Sequence, residues 1–252
     1  MTKLIQAPAL ISLLLFGIIP FAYAQLDLSN WQAGVNAGMF IYQGDLTPSR
    51  FGSYKTMKPG LGIYLSRILN PSFILRTNLA LGRLKGDDAK YDTPEWRQQR
   101  NFNFTSPVTE ISELLVWNIL KNNSNEVGKR FSPYLFAGAG IGFIKVKRDY
   151  SNFNTEYFGD GSDLPSRLAE DIAIRTPRKI LVLPAGLGVE YYLSPRIALT
   201  GETNFRYTFT DYLDGFSKAA NPAKKDFYYS HTLGAVYKFG AKNSVGCPVM
   251  KY

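Results

Sequence analysis

Between Ile197 and Gly215 the chain reads IALTGETNFRYTFTDYLDG, and most of it alternates in character. The odd positions from Ile197 to Phe209 are Ile, Leu, Gly, Thr, Phe, Tyr and Phe. The even ones are Ala198, Thr200, Glu202, Asn204, Arg206 and Thr208. Successive side chains of a strand point to opposite faces, so this pattern predicts one mostly apolar face and one polar face carrying both charge signs. The run outlasts the roughly five or six residues usual for a globular strand. It suits the roughly 9–11 that a tilted strand needs to cross a bilayer. Phe205, Tyr207 and Phe209 crowd one end, where an interfacial aromatic girdle would lie. The stretch therefore predicts a transmembrane strand with lipid on one side and a polar interior on the other.

Comparable alternation recurs at 31–42, 59–66, 73–83, 104–118, 133–146, 179–192 and 227–239. With 197–209 this makes eight strands, an even number. The longer connections follow the first, third, fifth and seventh, and mostly shorter ones fall between. Barrels of bacterial outer membranes show this asymmetry, with short periplasmic turns and long outer loops. The expected fold is all-β: an eight-stranded antiparallel transmembrane outer-membrane β-barrel over residues 25–239, with a short periplasmic tail at 240–252. An eight-stranded barrel is filled by side chains rather than open. Arg76, Glu190, Glu202 and Arg206 have inward parity and are expected to plug it with ion pairs and hydrogen bonds. Inward glycines such as Gly138, Gly140 and Gly142 suit a narrow lumen. The segment 104–118 is irregular: Glu110 and Glu113 have opposite parity, so either a bulge intervenes or one acid faces lipid.

The N-terminal residues 1–24 place Lys3 before an apolar run and end in small residues at Ala22 and Ala24. That is the pattern of a secretory signal peptide cut before Gln25. An uncleaved anchor helix is disfavoured, because the run falls short of the roughly 20 residues such a helix needs. The rest has no apolar run long enough for a membrane helix, and without helices only a closed barrel satisfies its backbone in lipid. Aromatic content of 14 %, with 16 Tyr, 17 Phe and 22 Gly, agrees with that class. The formal charge of +9 is spread through the connections among acids. It reads as solvated loops near anionic headgroups, not as a nucleic-acid surface. A lone cysteine, Cys247, excludes an internal disulfide framework and leaves either a free thiol or an intermolecular disulfide.

Candidate sites are few. Asp211, Tyr212 and Asp214 lie in one loop, but two carboxylates fall short of the roughly six to eight oxygens that Ca²⁺ requires. Asx-type turns are the expected use, and the same holds for 160–163. Gly44-Asp45 reads as the turn leaving the first strand. His231 is the single histidine and has outward parity, whereas Ser230, Glu190 and Glu202 point inward. Only Thr203 shares its face, which argues against a Ser–His–acid triad of a lipid-modifying enzyme. No catalytic residue, cofactor or metal is expected. Lys242, Lys129 and Arg130, with Cys247 and Pro248, give the periplasmic end a basic character suited to an acidic protein partner.

The segments YQGDL (42–46), FSPYLFAGAG (131–140), LPAGLGVEY (183–191), RYTFTDYLDGFS (206–217) and the closing Gly246-Cys247-Pro248 together resemble the PorG-like outer-membrane proteins. After Asp214 the pattern changes, with Gly215-Phe216 in place of a second acid and a valine. The resemblance implies a non-enzymatic barrel of the type IX secretion and gliding machinery. It also implies periplasmic ring proteins as partners, engaged around the tail and Cys247. The competing expectation is a surface barrel, adhesive or defensive, that works through its outer loops.

Overall fold

The structure, a computed structural model, describes residues 28–49, 51–123, 130–159, 161–221 and 225–240. The signal-peptide cut and the tail beyond Gly240 lie outside these residues. Eight long strands and one short one form a single sheet: β1 (Trp31–Gln43), β2 (Lys58–Ile68), β3 (Phe73–Asp87), β4 (Asn103–Asn118), β5 (Phe131–Ile144), β6 (Lys147–Asp149), β7 (Lys179–Tyr192), β8 (Ile197–Thr208) and β9 (Phe227–Lys238). Each long strand pairs antiparallel with the next long one, and β1 pairs with β9 from Gln32↔Lys238 to Gln43↔Phe227. The long strands thus close into an eight-stranded barrel, so over its paired length the sheet has no free edge. Short β6 extends the sheet by pairing with the first residues of β4.

Alternation sets the two walls. Along β8 the inward Ala198, Thr200, Asn204 and Arg206 are buried, and the outward Ile197, Leu199, Phe205 and Tyr207 are exposed. The same holds all round: Val35, Ile63, Leu75, Ile111, Ile141, Leu187 and Leu233 are exposed on the other seven long strands, Leu233 at 77 %. A continuous apolar ring of that kind far exceeds the patches tolerated on a water-soluble monomer. It is the lipid-facing belt of a spanning barrel.

Several boundaries move from the sequence expectation. The third strand runs four residues past Arg83 to Asp87, since β4 starts early enough to pair with it. Segment 104–118 contains no bulge. The β3–β4 register is unbroken from Phe73↔Trp117 to Asp87↔Asn103, so Glu110 points inward and Glu113 outward. Glu113 is tolerated there because Thr77, its direct cross-strand partner, donates a hydrogen bond to it at 2.8 Å. The fifth strand ends at Ile144, before Val146, and Phe209 and Phe239 lie just beyond β8 and β9.

The long connections are structured. After β3 come a 3-10 turn (Asp88–Lys90) and a short helix α1 (Trp96–Arg100). The insert after β5 carries β6 and the helix α2 (Leu164–Ala173), with Pro in its first turn and Leu168 buried. These elements and the segment after β8 fold over one mouth of the barrel, the outer one by the loop asymmetry. There Leu46, Phe102, Leu168, Leu213 and Phe216 join the interior residues Phe40 and Tyr42 in one core.

Candidate functional site: the plugged interior and its outer cap

Two ion-pair layers cross the lumen. In the half nearer the short turns, Arg76 of β3 reaches Glu202 of β8 with Nη1–Oε1 at 2.5 Å, and Tyr134 of β5 donates to the same oxygen at 2.6 Å. The Arg76 guanidinium lies 4.3 Å from the Tyr64 ring centroid and 5.5 Å from that of Tyr134. Both rings occupy space that only glycine leaves. A Cβ on Gly34 would fall 2.1 Å from the Tyr64 ring, and one on Gly188 would fall 2.5 Å from the Tyr134 ring. Glu190 accepts a hydrogen bond from Tyr192, whose oxygen accepts from Lys238 at 2.8 Å.

In the outer half, Arg206 of β8 pairs with Glu110 of β4 at 2.6 Å. Tyr228 and Ser112 also donate to Glu110, at 2.8 and 3.1 Å, and Arg206 donates to Ser230 at 2.9 Å. The space left between the layers, lined by Asn36, Asn78, Glu202, Asn204, Arg206 and Ser230, is about 10 Å³. That holds roughly one water. All four interior residues expected from sequence, Arg76, Glu190, Glu202 and Arg206, lie in this plug. Sequence reading missed Glu110 as the partner of Arg206, because the parity conflict with Glu113 hid which acid faced inward.

Above the plug, two of the segments that carry the family resemblance meet. The Tyr42 hydroxyl lies 2.6 Å from Asp214 Oδ2 and 2.9 Å from Asp226 Oδ1, all three side chains being buried. A phenol carries one proton, so it can donate to only one of these carboxyls. The other contact needs a proton on the second carboxyl. Burial, with Asp45 close by, pushes Asp214 well above the ordinary carboxylate range. Burial together with the Asp214 and Asp45 charges does the same to Asp226. Gly44 is required beneath them, since a Cβ there would sit 1.9 Å from Asp226 Oδ1 and 2.1 Å from the Tyr42 oxygen. Gly44-Asp45 is therefore more than a turn: Asp45 accepts the Asn221 amide at 2.9 Å and is itself buried. Beside it Asp88 binds Arg97 at 2.8 Å and Arg100 at 2.6 Å, and both guanidiniums also donate to the Asp45 carbonyl.

The Asp214 carboxylate makes the expected Asx turn, accepting the Phe216 amide at 2.8 Å. Asp211 instead accepts the Ser217 hydroxyl, and burial raises its proton affinity. Tyr212 is half-buried and donates to Asp171 at 3.3 Å. Asp171 in turn accepts the amides of Ser217, Lys218 and Ala219, which ties α2 to the loop. Gly215, at φ +90°, permits the turn that delivers Phe216 onto Phe102, centroids 4.4 Å apart. Among the described residues no three His, Cys, Asp or Glu are placed to hold a metal ion. His231 lies on the outer wall, 3.0 Å from Thr203 Oγ1 and 3.2 Å from the Tyr54 hydroxyl. Arg130 is exposed next to the start of β5, and its carbonyl accepts the Tyr192 amide at 2.8 Å. Lys129, Lys242, Cys247 and Pro248 lie outside the described residues.

The geometry defines a closed, side-chain-filled eight-stranded β-barrel of the membrane-spanning class. Residues 9–244 match a family described as a domain of unknown function, DUF6089, and the chain belongs to that family. No curated protein matches it. Solved structures similar to it include Neisserial surface protein A, at 15 % identity and TM-score 0.48, covering 84 % of this chain and 98 % of that one. A major outer membrane protein from Thermus thermophilus is similar at 15 % identity and TM-score 0.44, covering 83 % and 99 %. Ail, the attachment invasion locus protein of Yersinia pestis, is similar at 14 % identity and TM-score 0.43, also covering 83 % and 99 %.

Proposed function

We propose that this chain is an outer-membrane barrel that anchors a periplasmic assembly, namely the ring of the type IX secretion and gliding machinery. The observation that carries the reading is the plug. With Arg76–Glu202 and Arg206–Glu110 spanning the lumen, the space between the two layers holds roughly one water, so on this reading the work falls to the ends of the barrel. The PorG-like resemblance, including the closing Gly246-Cys247-Pro248, favours the periplasmic end, with Lys129, Arg130, Lys242 and Cys247 as the groups that meet a partner. On this reading the chain is not an enzyme. His231 meets the hydroxyls of Thr203 and Tyr54. A second reading, binding through the outer loops, is favoured by one observation: those loops are folded into a cap with its own buried core.

Affinity purification from gently solubilised outer membrane, without reductant, separates the two. Ring proteins that co-purify with wild type and fall away with Cys247→Ser support an anchor tethered by a disulfide. Ring proteins retained with Cys247→Ser but lost on deleting 240–252 keep the anchor and discard the bond. A barrel recovered alone, in every form, moves the function to the cap.

A further inference from the structure

The outer rim of the barrel wall is chemically lopsided. On the β3–β4–β5–β7 flank, Arg83, Lys145, Lys147 and Lys179 are exposed with outward parity, and Lys85 is half-buried beside them. The register brings these together. Lys85 of β3 and Lys147 of β6 are both direct partners of Thr105 on β4, one on each side. With neighbouring strands roughly 4.8 Å apart, the two lysine backbones flank the threonine at about 10 Å from one another. Lys179 stands opposite Phe143, with its ammonium 5.7 Å from the ring centroid. Just below, Leu81, Ile141 and Leu181 begin the apolar belt. At the same end of the opposite flank, β8 and β9 turn Phe205, Tyr207, Phe227, His231 and a buried Tyr229 outward, and the nearest cation is the exposed Lys225 just before β9.

Basic side chains at a bilayer edge can snorkel singly, as exposed Lys55 and Lys225 do elsewhere on the outer side. Five cations gathered on one stretch of rim make a surface for an anionic occupant. The acids nearby lie farther from the belt: Asp87 pairs with Lys85 at 3.3 Å, and Asp149, exposed, is hydrogen-bonded by Asn103 at 3.2 Å. The cations therefore form the row that faces the headgroup level of the bilayer. Beside Arg83 the outer wall of β1, β2 and β3 carries a shallow groove lined by Ala37, Lys58, Pro59, Leu61 and Leu81. An apolar groove beside a cationic row has the two-part chemistry of an acidic lipid.

We propose that this flank seats an outer-leaflet lipid whose headgroup carries phosphates, with Lys85, Thr105 and Lys147 meeting phosphate oxygens and Arg83 bordering a groove that holds an acyl chain. This is independent of the anchoring reading, since it uses the outer rim and not the periplasmic end.

The test is native mass spectrometry of the full barrel in neutral detergent. Cardiolipin supplies a diphosphorylated lipid, phosphatidylcholine a zwitterionic one, and inorganic phosphate the bare ion. Wild type is expected to retain cardiolipin over phosphatidylcholine, and R83Q/K85Q/K147Q to lose affinity at least about tenfold, since each cation near a charged lipid surface contributes appreciably. The exposed Arg67 at the short-turn end serves as control, and R67Q is expected to bind as wild type does. A heat-modifiable shift on gels establishes that each variant forms the barrel, and a triple variant without that shift is replaced by K85Q/K147Q. Equal retention of cardiolipin by the triple variant and wild type overturns the proposal. So does equal uptake of phosphatidylcholine, or competition by inorganic phosphate at the lipid's own concentration.

Discussion

The two ends of this barrel are held by different means. At the short-turn end the turns are ordered locally, and long-range contacts join strands that the register already holds. Asn70 accepts the amides of Ser72 and Phe73, Ser194 accepts those of Arg196 and Ile197, and Arg76–Glu202 crosses the lumen between walls already in register. At the long-connection end, order is made by contacts between segments far apart in sequence. Tyr42 meets Asp214 and Asp226, Arg97 and Arg100 meet Asp88 and Asp45, and Asp171 of α2 meets the turn at Ser217. One end follows from strand periodicity and turn chemistry. The other is a small folded cap that depends on buried charge being neutralised.

The largest effect is expected between the ends, in the outer ion-pair layer. Arg206→Met leaves Glu110 buried and unpaired and should cost about 3–5 kcal/mol, measured by urea unfolding of the barrel in micelles. Adding Glu110→Met should restore much of that loss, because the pair as a whole replaces desolvated charge. A double variant no better than the single one would mean that the layer is held by Tyr228 and Ser112 rather than by the pair.

Next comes the cap. Tyr42→Phe removes the hydroxyl shared by Asp214 and Asp226 and should cost about 1–3 kcal/mol of cap stability. The loss should be read as faster hydrogen exchange in 210–221, with that around Asn70 unchanged. If both ends loosen equally, the cap is not a separable unit.

The pH dependence has a definite sign. Asp214 and Asp226 bind protons more tightly folded than unfolded, so the folded cap holds more protons above the ordinary carboxylate range. Its stability is full below that range and is lost as pH rises through the raised folded values. Protease nicking of the cap should increase from mildly acidic to alkaline buffer, and Asp226→Asn should flatten that profile. A cap that tightens with rising pH would place the proton elsewhere.

The smallest effect belongs to the outer wall. His231→Ala should change barrel stability by less than about 0.5 kcal/mol, as surface substitutions usually do. A large loss of stability with His231→Ala would show that its contacts with Thr203 and Tyr54 help lock β8 and β9 to the turn after β1.

By itself the sequence determined the barrel. Alternation in eight segments assigned lipid and lumen faces, and it put Arg76, Glu202 and Arg206 inside, because a strand's period of two leaves no other choice once one face is apolar. Loop lengths distinguished the two ends. What only the tertiary structure decided was pairing at a distance. Glu110 rather than Glu113 meets Arg206, since unbroken β3–β4 register sets parity across the whole strand. Asp211 and Asp214 read in sequence as loop carboxylates making local turns. Their neighbours Ser217, Tyr42 and Asp226 are chosen by how the cap folds over the mouth. A side chain's face is a local property of the chain, whereas its partner across a closed barrel or a folded cap depends on every strand between them.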